Sequence, residues 1–339
     1  MTRVWLPLVA LALTVVGCSG GSQAPVADNK GAEPAKPAPV KTTLKVALLT
    51  PGPVSDSGWS ALAYDGLKAI ESDLKAEVGN QEAKDAQIKD SMRSYAQKGY
   101  NLVFGHGFEY NEPAIDVAKE FPNTVFVSSS GGKTAANVGA FRFALEEGFY
   151  LAGITAGELS KTHKVAMIGG PDVPSIRSTF KAFAAGAKSV NPDIEVIEKF
   201  TMDGQDVAKA KQATLAAIDQ GADLVIHQAN AAAQGVFDAC KEKGVLAFGA
   251  NLNQNDNPSG VVLASAVIVA KPAFIELAKR VQAGTYRGEI TTAGMTEGAI
   301  MFTFNPKLAD KVSPDIRKKI DIASLSIINK ALKVPMDSF

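Results

Sequence analysis

Three histidines head the residues able to do chemistry: His106, His163 and His227. None shares a spacing such as His-Glu-x-x-His, which would set two imidazoles on one helical face for a metal. His106 and His227 each lie near the end of an apolar run, where a structural hydrogen bond is favoured over ligand contact. Gly169-Gly170-Pro171 sits between an apolar run and a helical pattern but lacks the spacing and the lysine of a phosphate-binding loop. Ser128-Ser-Ser-Gly-Gly132 has no Gly-x-Ser-x-Gly elbow. Carboxylates are plentiful on the helical stretches, but no pair converges on one catalytic point. No catalysis, metal or cofactor is therefore expected, and an extracellular hydrolase is disfavoured. The loop Ser55-Asp56-Ser57-Gly58-Trp59-Ser60 suits binding better. Gly58 frees the backbone, Asp56 can cap a helix, and Trp59 stands where an aromatic plane can face a cleft. The alternative is a tryptophan that merely covers a sheet edge.

Cys18 carries a second kind of chemistry. A short basic start, Met1-Thr2-Arg3, leads into an apolar stretch too short for a comfortable permanent span, ending Val15-Val16-Gly17-Cys18. This resembles the lipobox of bacterial lipoproteins, in which small residues precede the cleaved bond and the thiol takes a diacylglyceryl group. Residues 1–17 are then a signal peptide and Cys18 the acylated first residue of the mature chain. Several acyl chains hold where one would be marginal. Residues 18–42, rich in Gly, Ser, Ala, Pro and Lys, bury too little apolar surface to order themselves and read as a flexible tether. The expected location is the cell envelope, with the protein anchored by lipid to a membrane and facing the periplasm or exterior.

About 300 residues remain, enough for two lobes. Thirty-five acidic residues balance 35 basic ones. Nucleic acid is thus not an expected partner, since phosphate binding needs an excess of Lys and Arg. Cys240 lies in an amphipathic helical stretch with no disulfide partner once Cys18 is acylated, and reads as a small buried apolar residue.

The elements that would position these residues alternate. Apolar runs at 44–49, 102–104, 124–127 and 138–141 read as strands, with helices at about 60–75, 82–98, 113–120 and 146–159 between or after them. A second alternation has strands at 164–168, 195–200, 224–227 and 246–248, with helices near 175–190, 207–220 and 231–243. The pattern predicts an α/β protein of two doubly wound parallel-sheet lobes joined by a hinge. The first lobe is expected over 43–142 with a return segment at about 262–304. The second is expected over 143–261 with a C-terminal segment at about 305–339. Ligands of such sheets bind beyond the carboxyl ends of the strands, so loops directly after strands are where contacts belong.

Taken together, several stretches resemble the basic membrane protein family of substrate-binding lipoproteins, which includes the purine nucleoside receptors. They are Asp56-Ser-Gly-Trp-Ser60, Gly105-His-Gly-Phe108, Phe141-Arg-Phe-Ala-Leu-Glu-Glu-Gly-Phe-Tyr-Leu-Ala-Gly153, Ile168-Gly-Gly-Pro-Asp-Val-Pro174, Asn191-Pro-Asp-Ile194, Asp219-Gln-Gly-Ala-Asp223 and Gly235-Val-Phe-Asp-Ala-Cys-Lys-Glu-Lys-Gly244. The resemblance covers about Leu44 to Lys333. It implies a type I periplasmic-binding fold and delivery of a purine nucleoside or nucleobase to an ABC permease.

Carried over position by position, the resemblance gives Trp59 the role of stacking on the base and Ser60 a polar contact where relatives often have Asn. Met202 falls where a second aromatic often covers the other ring face. Asn251 falls at the ribose-binding carboxylate, and Ile268 at a later lysine. Two expected charges are thus missing, so a nucleobase or another neutral planar solute is expected at least as readily as a nucleoside. Asp56, Trp59, Ser60, Phe108, Met202, Asn230 and Asn251 form the candidate ligand-binding set. Asn230 and Asn251 would offer amide groups to a ring edge, or else serve turns and caps. The expected partners are a small planar solute, an ABC permease and a membrane reached through the lipid, with the protein a monomer. A sensor or regulatory lipoprotein of the same fold is the competing function.

Overall fold

The structure is a computed structural model that describes residues 39–40, 43–56 and 58–338; Cys18, the signal peptide and all but two residues of the tether lie outside the described residues. The chain enters through β1 (Lys45–Thr50), buried along nearly its whole length because it becomes an interior strand. There follow α1 (Trp59–Leu74), β2 (Glu77–Glu82), α2 (Gln87–Gln97), β3 (Leu102–Gly105), α3 (Asn111–Ala118), β4 (Val125–Ser129) and β5 (Val138–Phe143). The second lobe holds α4 (Leu145–Leu159), β6 (Lys164–Gly169), α5 (Pro174–Val190), β7 (Glu195–Phe200), α6 (Val207–Asp219), β8 (Leu224–Gln228), α7 (Ala233–Lys243), β9 (Leu246–Asn251) and β10 (Val262–Ile268). The chain closes with α8 (Lys271–Gln282), β11 (Ile290–Ala293), β12 (Ile300–Phe304) and α9 (Pro314–Ile328).

Two six-stranded sheets result, in the orders β11-β5-β4-β3-β1-β2 and β12-β10-β9-β8-β6-β7. Every pairing is parallel except β10 with β12. Two doubly wound lobes therefore stand as the sequence pattern requires.

The return to the first lobe is narrower than the apolar runs suggest. β10 and β12 were expected there, but both join the second sheet. Only α8, packed on α1, and β11, paired with β5, go back. The physical reason lies in the loop 252–261, which carries β9 directly into its parallel neighbour without a helix. Asn255 and Asn305 fasten that arrangement. Nδ2 of Asn305 donates to the carbonyls of Asn255 (2.8 Å) and Val262 (2.7 Å), and Nδ2 of Asn255 donates to the carbonyl of Thr303 (3.1 Å). β2 and β11 were not expected at all. Both are edge strands, and their sequences, Glu-Val-Gly-Asn-Gln-Glu and Ile-Thr-Thr-Ala, carry little of the apolar signal of a buried strand.

α4 carries Gly148, Gly153 and Gly157 and packs against α5 almost backbone to backbone, as well as against β10 of the sheet. A Cβ on Gly153 would stand 2.1 Å from the carbonyl oxygen of Phe183, and one on Gly186 would stand 2.1 Å from that of Tyr150. α9 lies on α4, and beyond it the backbone amide of Asp337 donates to Oγ of Ser178 on α5 (3.0 Å).

The chain passes between lobes three times: at Ala144, at Val269–Ala270 and through 294–299. The passes are tied to one another. The Ala144 amide donates to the Ala293 carbonyl (2.9 Å) and the Val269 amide to the Ala299 carbonyl (2.8 Å). The Met295 amide donates to Oε2 of Glu147 (2.5 Å), whose carboxyl is raised above its usual range by burial. Among the described residues, no helix is long and apolar enough to cross a membrane.

Candidate functional site

Between the lobes lies a cavity of about 420 Å³, within the roughly 300–1,000 Å³ typical of small-molecule sites. Its walls come largely from the loops after β1, β2, β3, β4, β6, β7 and β8, that is, from the carboxyl ends of strands in both sheets. A larger surface hollow of about 720 Å³ between α1 and α8 is open and lined by charged side chains such as Lys68, Asp73 and Lys271. The interlobe cavity is the better site because polar and apolar groups converge on it from two sides.

Asp56 shapes the first wall. Its carboxylate accepts from the amides of Gly58, Ser60 and Ala61, each at 2.9 Å. Three amides left unpaired by the start of α1 are thereby satisfied, with a negative charge at the positive end of the helix. Asp56 stands behind the cavity wall and fixes Trp59 and Ser60, which line it.

Trp59 is clamped. Its indole lies on the His106 ring with centroids 3.8 Å apart and planes 20° apart. Nε1 donates to the His106 carbonyl (3.0 Å), while Nε2 of His106 lies 2.9 Å from the Trp59 carbonyl. One face of the indole is thus covered, and the residue is held in the cavity wall by its edge and its backbone. His106 is fully buried, and burial pushes its pKa down to about 3, so the ring stays neutral. His227 behaves alike: Nε2 donates to Oε1 of Gln254 (2.8 Å), and burial lowers its pKa to about 4. Both histidines therefore make structural hydrogen bonds.

The remaining candidates divide. Phe108, Met202 and Asn230 line the cavity; Met202 does so from the rim, 69 % exposed. Asn251 is buried outside the lining, in the left-handed region at φ 69°. Its Nδ2 donates to Oε1 of Gln228 (3.3 Å), a lining residue, and its Oδ1 is buried without a protein partner. Ile268 forms an apolar part of the wall. Cys240 is buried, and its thiol is pushed up to about 12, so it stays protonated.

Sequence reasoning passed over Ser129, Arg142, Glu146, Gln205 and Gln228, all of which line the cavity. The spacing of Arg142 and Glu146, four residues apart, was the available signal. The two form an ion pair, and Oγ of Ser178 donates to the same Glu146 oxygen (2.6 Å). Lys84 is paired with Glu82 (2.8 Å), and Asp203 accepts from the Gln205 amide (2.7 Å). The Lys84 and Arg142–Glu146 charges are thus answered within the protein, and the wall also holds Asp85 and Glu109, whose carboxyl is raised above its usual range by burial. Among the described residues no cluster of three His, Cys, Asp or Glu could hold a metal.

The lobes meet at the cavity's edge. A Cβ on Gly58 would lie 3.3 Å from Cα of Asn230, and one on Gly52 would lie 2.9 Å from Nε2 of Gln205. The first-lobe loop thus rests directly on two loops of the second, the geometry of a closed cleft.

Comparison with known proteins agrees with this architecture. Residues 43–338 match the family described as ABC transporter substrate-binding protein PnrA-like. A purine-binding protein of Brucella abortus is 30 % identical over 297 residues, 86 % of this chain and 84 % of that one. The transcriptional activator protein med of Bacillus subtilis is 30 % identical over 283 residues, 81 % and 87 % of the two chains. The structure of an ABC transporter solute-binding protein from Conexibacter woesei superposes with a TM-score of 0.70 at 26 % identity, covering 87 % of this chain and 99 % of that one. Two parallel-sheet lobes, a cleft at the strand ends and a family match over nearly all described residues lead to one conclusion: the chain belongs to the PnrA-like substrate-binding proteins of ABC transporters and has the type I periplasmic-binding fold.

Proposed function

We propose that this protein is a lipid-anchored receptor of an ABC importer and that its cleft captures a neutral planar purine, a free nucleobase at least as readily as a nucleoside. The observation that carries the reading is Trp59, held by His106 on one side and set in the cavity wall. A ring so fixed has lost little freedom to lose again when a base stacks on it, and stacking is worth about 1–3 kcal/mol. The ion-paired Lys84, Arg142 and Glu146 of the wall support a neutral solute. Ile268, an apolar part of the wall where the family resemblance implies a lysine, supports the nucleobase. Closure around the solute then gives the permease a surface that the open form lacks. The protein acts as a monomer.

Calorimetric titration of residues 39–339 with adenine, adenosine, guanine and guanosine tests the ligand. The expected order is base at least as tight as nucleoside. A clear preference for nucleosides shows that other residues hold the ribose, and no binding to any of the four removes the purine. For the anchor, Cys18→Ala is expected to abolish metabolic lipid labelling and detergent partitioning; retained label refutes it.

The resemblance to an activator protein supports a second reading, a regulatory lipoprotein whose closed form signals instead of delivering. Deletion separates the two. Loss of purine uptake with unchanged transcription supports the importer, and the reverse supports the regulator.

A further inference from the structure

The cleft contains a serine whose hydrogen-bonding direction is fixed from behind. Ser129 ends β4, is 3 % exposed and lines the cavity. Its Oγ lies 2.6 Å from Nδ1 of His106. The other ring nitrogen, Nε2, faces the Trp59 carbonyl at 2.9 Å. A carbonyl can only accept, so Nε2 must carry the proton. A neutral imidazole has one N–H, which leaves Nδ1 bare. The Ser129 hydroxyl must therefore donate to Nδ1, and its lone pairs are what remain for the cavity. The neighbouring Ser128 hydroxyl does not share this role, since it accepts from Nδ2 of Asn111 (3.0 Å).

We infer that Ser129 is an acceptor-only contact in the cleft and selects ligands that present an N–H donor to it. A ligand carbonyl or bare ring nitrogen at that point would set lone pair against lone pair, with no hydroxyl rotation available for relief. The same His106 that supports the Trp59 ring thus also sets the polarity of a ligand contact, so ring recognition and edge recognition share one residue. This rests on the purine reading above and adds a direction to it.

Two measurements test the inference. The first uses the protein alone: nitrogen-15 NMR of His106 at neutral pH is expected to show the Nε2–H tautomer, and an Nδ1–H tautomer overturns the inference. The second is a cycle between protein and ligand. Adenine, purine (which lacks the exocyclic amine) and 9-methyladenine (which lacks the ring N–H) are titrated into wild type and Ser129→Ala. Removing the donor that faces Ser129 is expected to weaken wild-type binding by about tenfold, the usual scale of one hydrogen bond, and the same removal should cost far less in Ser129→Ala. If neither donor removal is coupled to Ser129, the inference fails while the purine reading stands. If adenine and both analogues fail to bind the wild type, the purine reading fails and the inference falls with it. Should Ser129→Ala not fold, Ser129→Cys, a weak donor of similar shape, replaces it in the cycle.

Discussion

Truncating Trp59 separates two quantities that its environment keeps distinct. The indole donates to the His106 carbonyl at 3.0 Å and lies on the imidazole at 3.8 Å. These contacts are made within the protein and so belong to stability: about 1 kcal/mol for the hydrogen bond and about 0.5–1.5 kcal/mol for the ring pair. The ligand-facing stack belongs to binding alone and is worth about 1–3 kcal/mol. Trp59→Ala should therefore weaken ligand binding by roughly 5- to 150-fold while lowering unfolding stability by about 2 kcal/mol. Trp59→Phe keeps a ring but loses the indole N–H. It should lose about 1 kcal/mol of stability and a much smaller share of affinity. The assay is simple, because the sequence has two tryptophans, Trp5 and Trp59, and a domain starting at residue 39 keeps only the latter. Fluorescence then reports the stack directly, calorimetry the affinity and urea unfolding the stability. Affinity within twofold of wild type in a folded Trp59→Ala protein refutes the stacking role and makes the residue structural.

Two further outcomes concern stability. Gly153→Ala gains roughly 0.5–1 kcal/mol of helix propensity, but its Cβ would sit 2.1 Å from the Phe183 carbonyl oxygen. Separating α4 from α5 costs about 1–3 kcal/mol, so the net effect should be a lower unfolding midpoint, and a raised one would refute the close helix contact. His106 and His227 titrate at about 3 and about 4 when folded, against 6.5 for an ordinary histidine. Between these limits the unfolded chain binds more protons, so their contribution is fully present above about pH 6.5 and is lost as the pH falls, by up to ~1.4 kcal/mol per pH unit for each. Unfolding midpoints from pH 7 to pH 5 should fall accordingly, and His227→Gln should flatten the slope; a wild-type midpoint that does not fall over this range contradicts the neutral buried histidines.

What the sequence made legible follows from how each feature is encoded. Interior strands such as Lys45–Thr50 and Lys164–Gly169 are buried along nearly their whole length, so unbroken apolar runs announce them. Edge strands need satisfy only one side, which is why Glu77–Glu82 passed unnoticed. An apolar run also carries no address, and Val262–Ile268 could have joined either sheet until the Asn255–Asn305 contacts decided it. Trp59 and Asp56 were legible because loop chemistry is local: a carboxylate two to five residues before the amides it accepts from is visible in the chain. Ser129 was not, because its role depends on an imidazole 23 residues away. Gln228 was likewise obscured, its significance lying in the distant Asn251.

Because the first sheet takes an edge strand from Ile290–Ala293, and α1 its cover from Lys271–Gln282, a chain emerging from its N-terminus cannot complete that lobe early. Until residue 282 has been made one face of α1 stays wet, and until residue 293 has been made β5 keeps a bare edge. The closing contacts span more than 140 residues between β5 and β11, the kind of long-range pairing that is met last because its loop must be closed first. The first lobe therefore cannot be finished from the N-terminal half alone. For a chain expected to be exported before it folds, that delay keeps it threadable until almost the whole polypeptide exists.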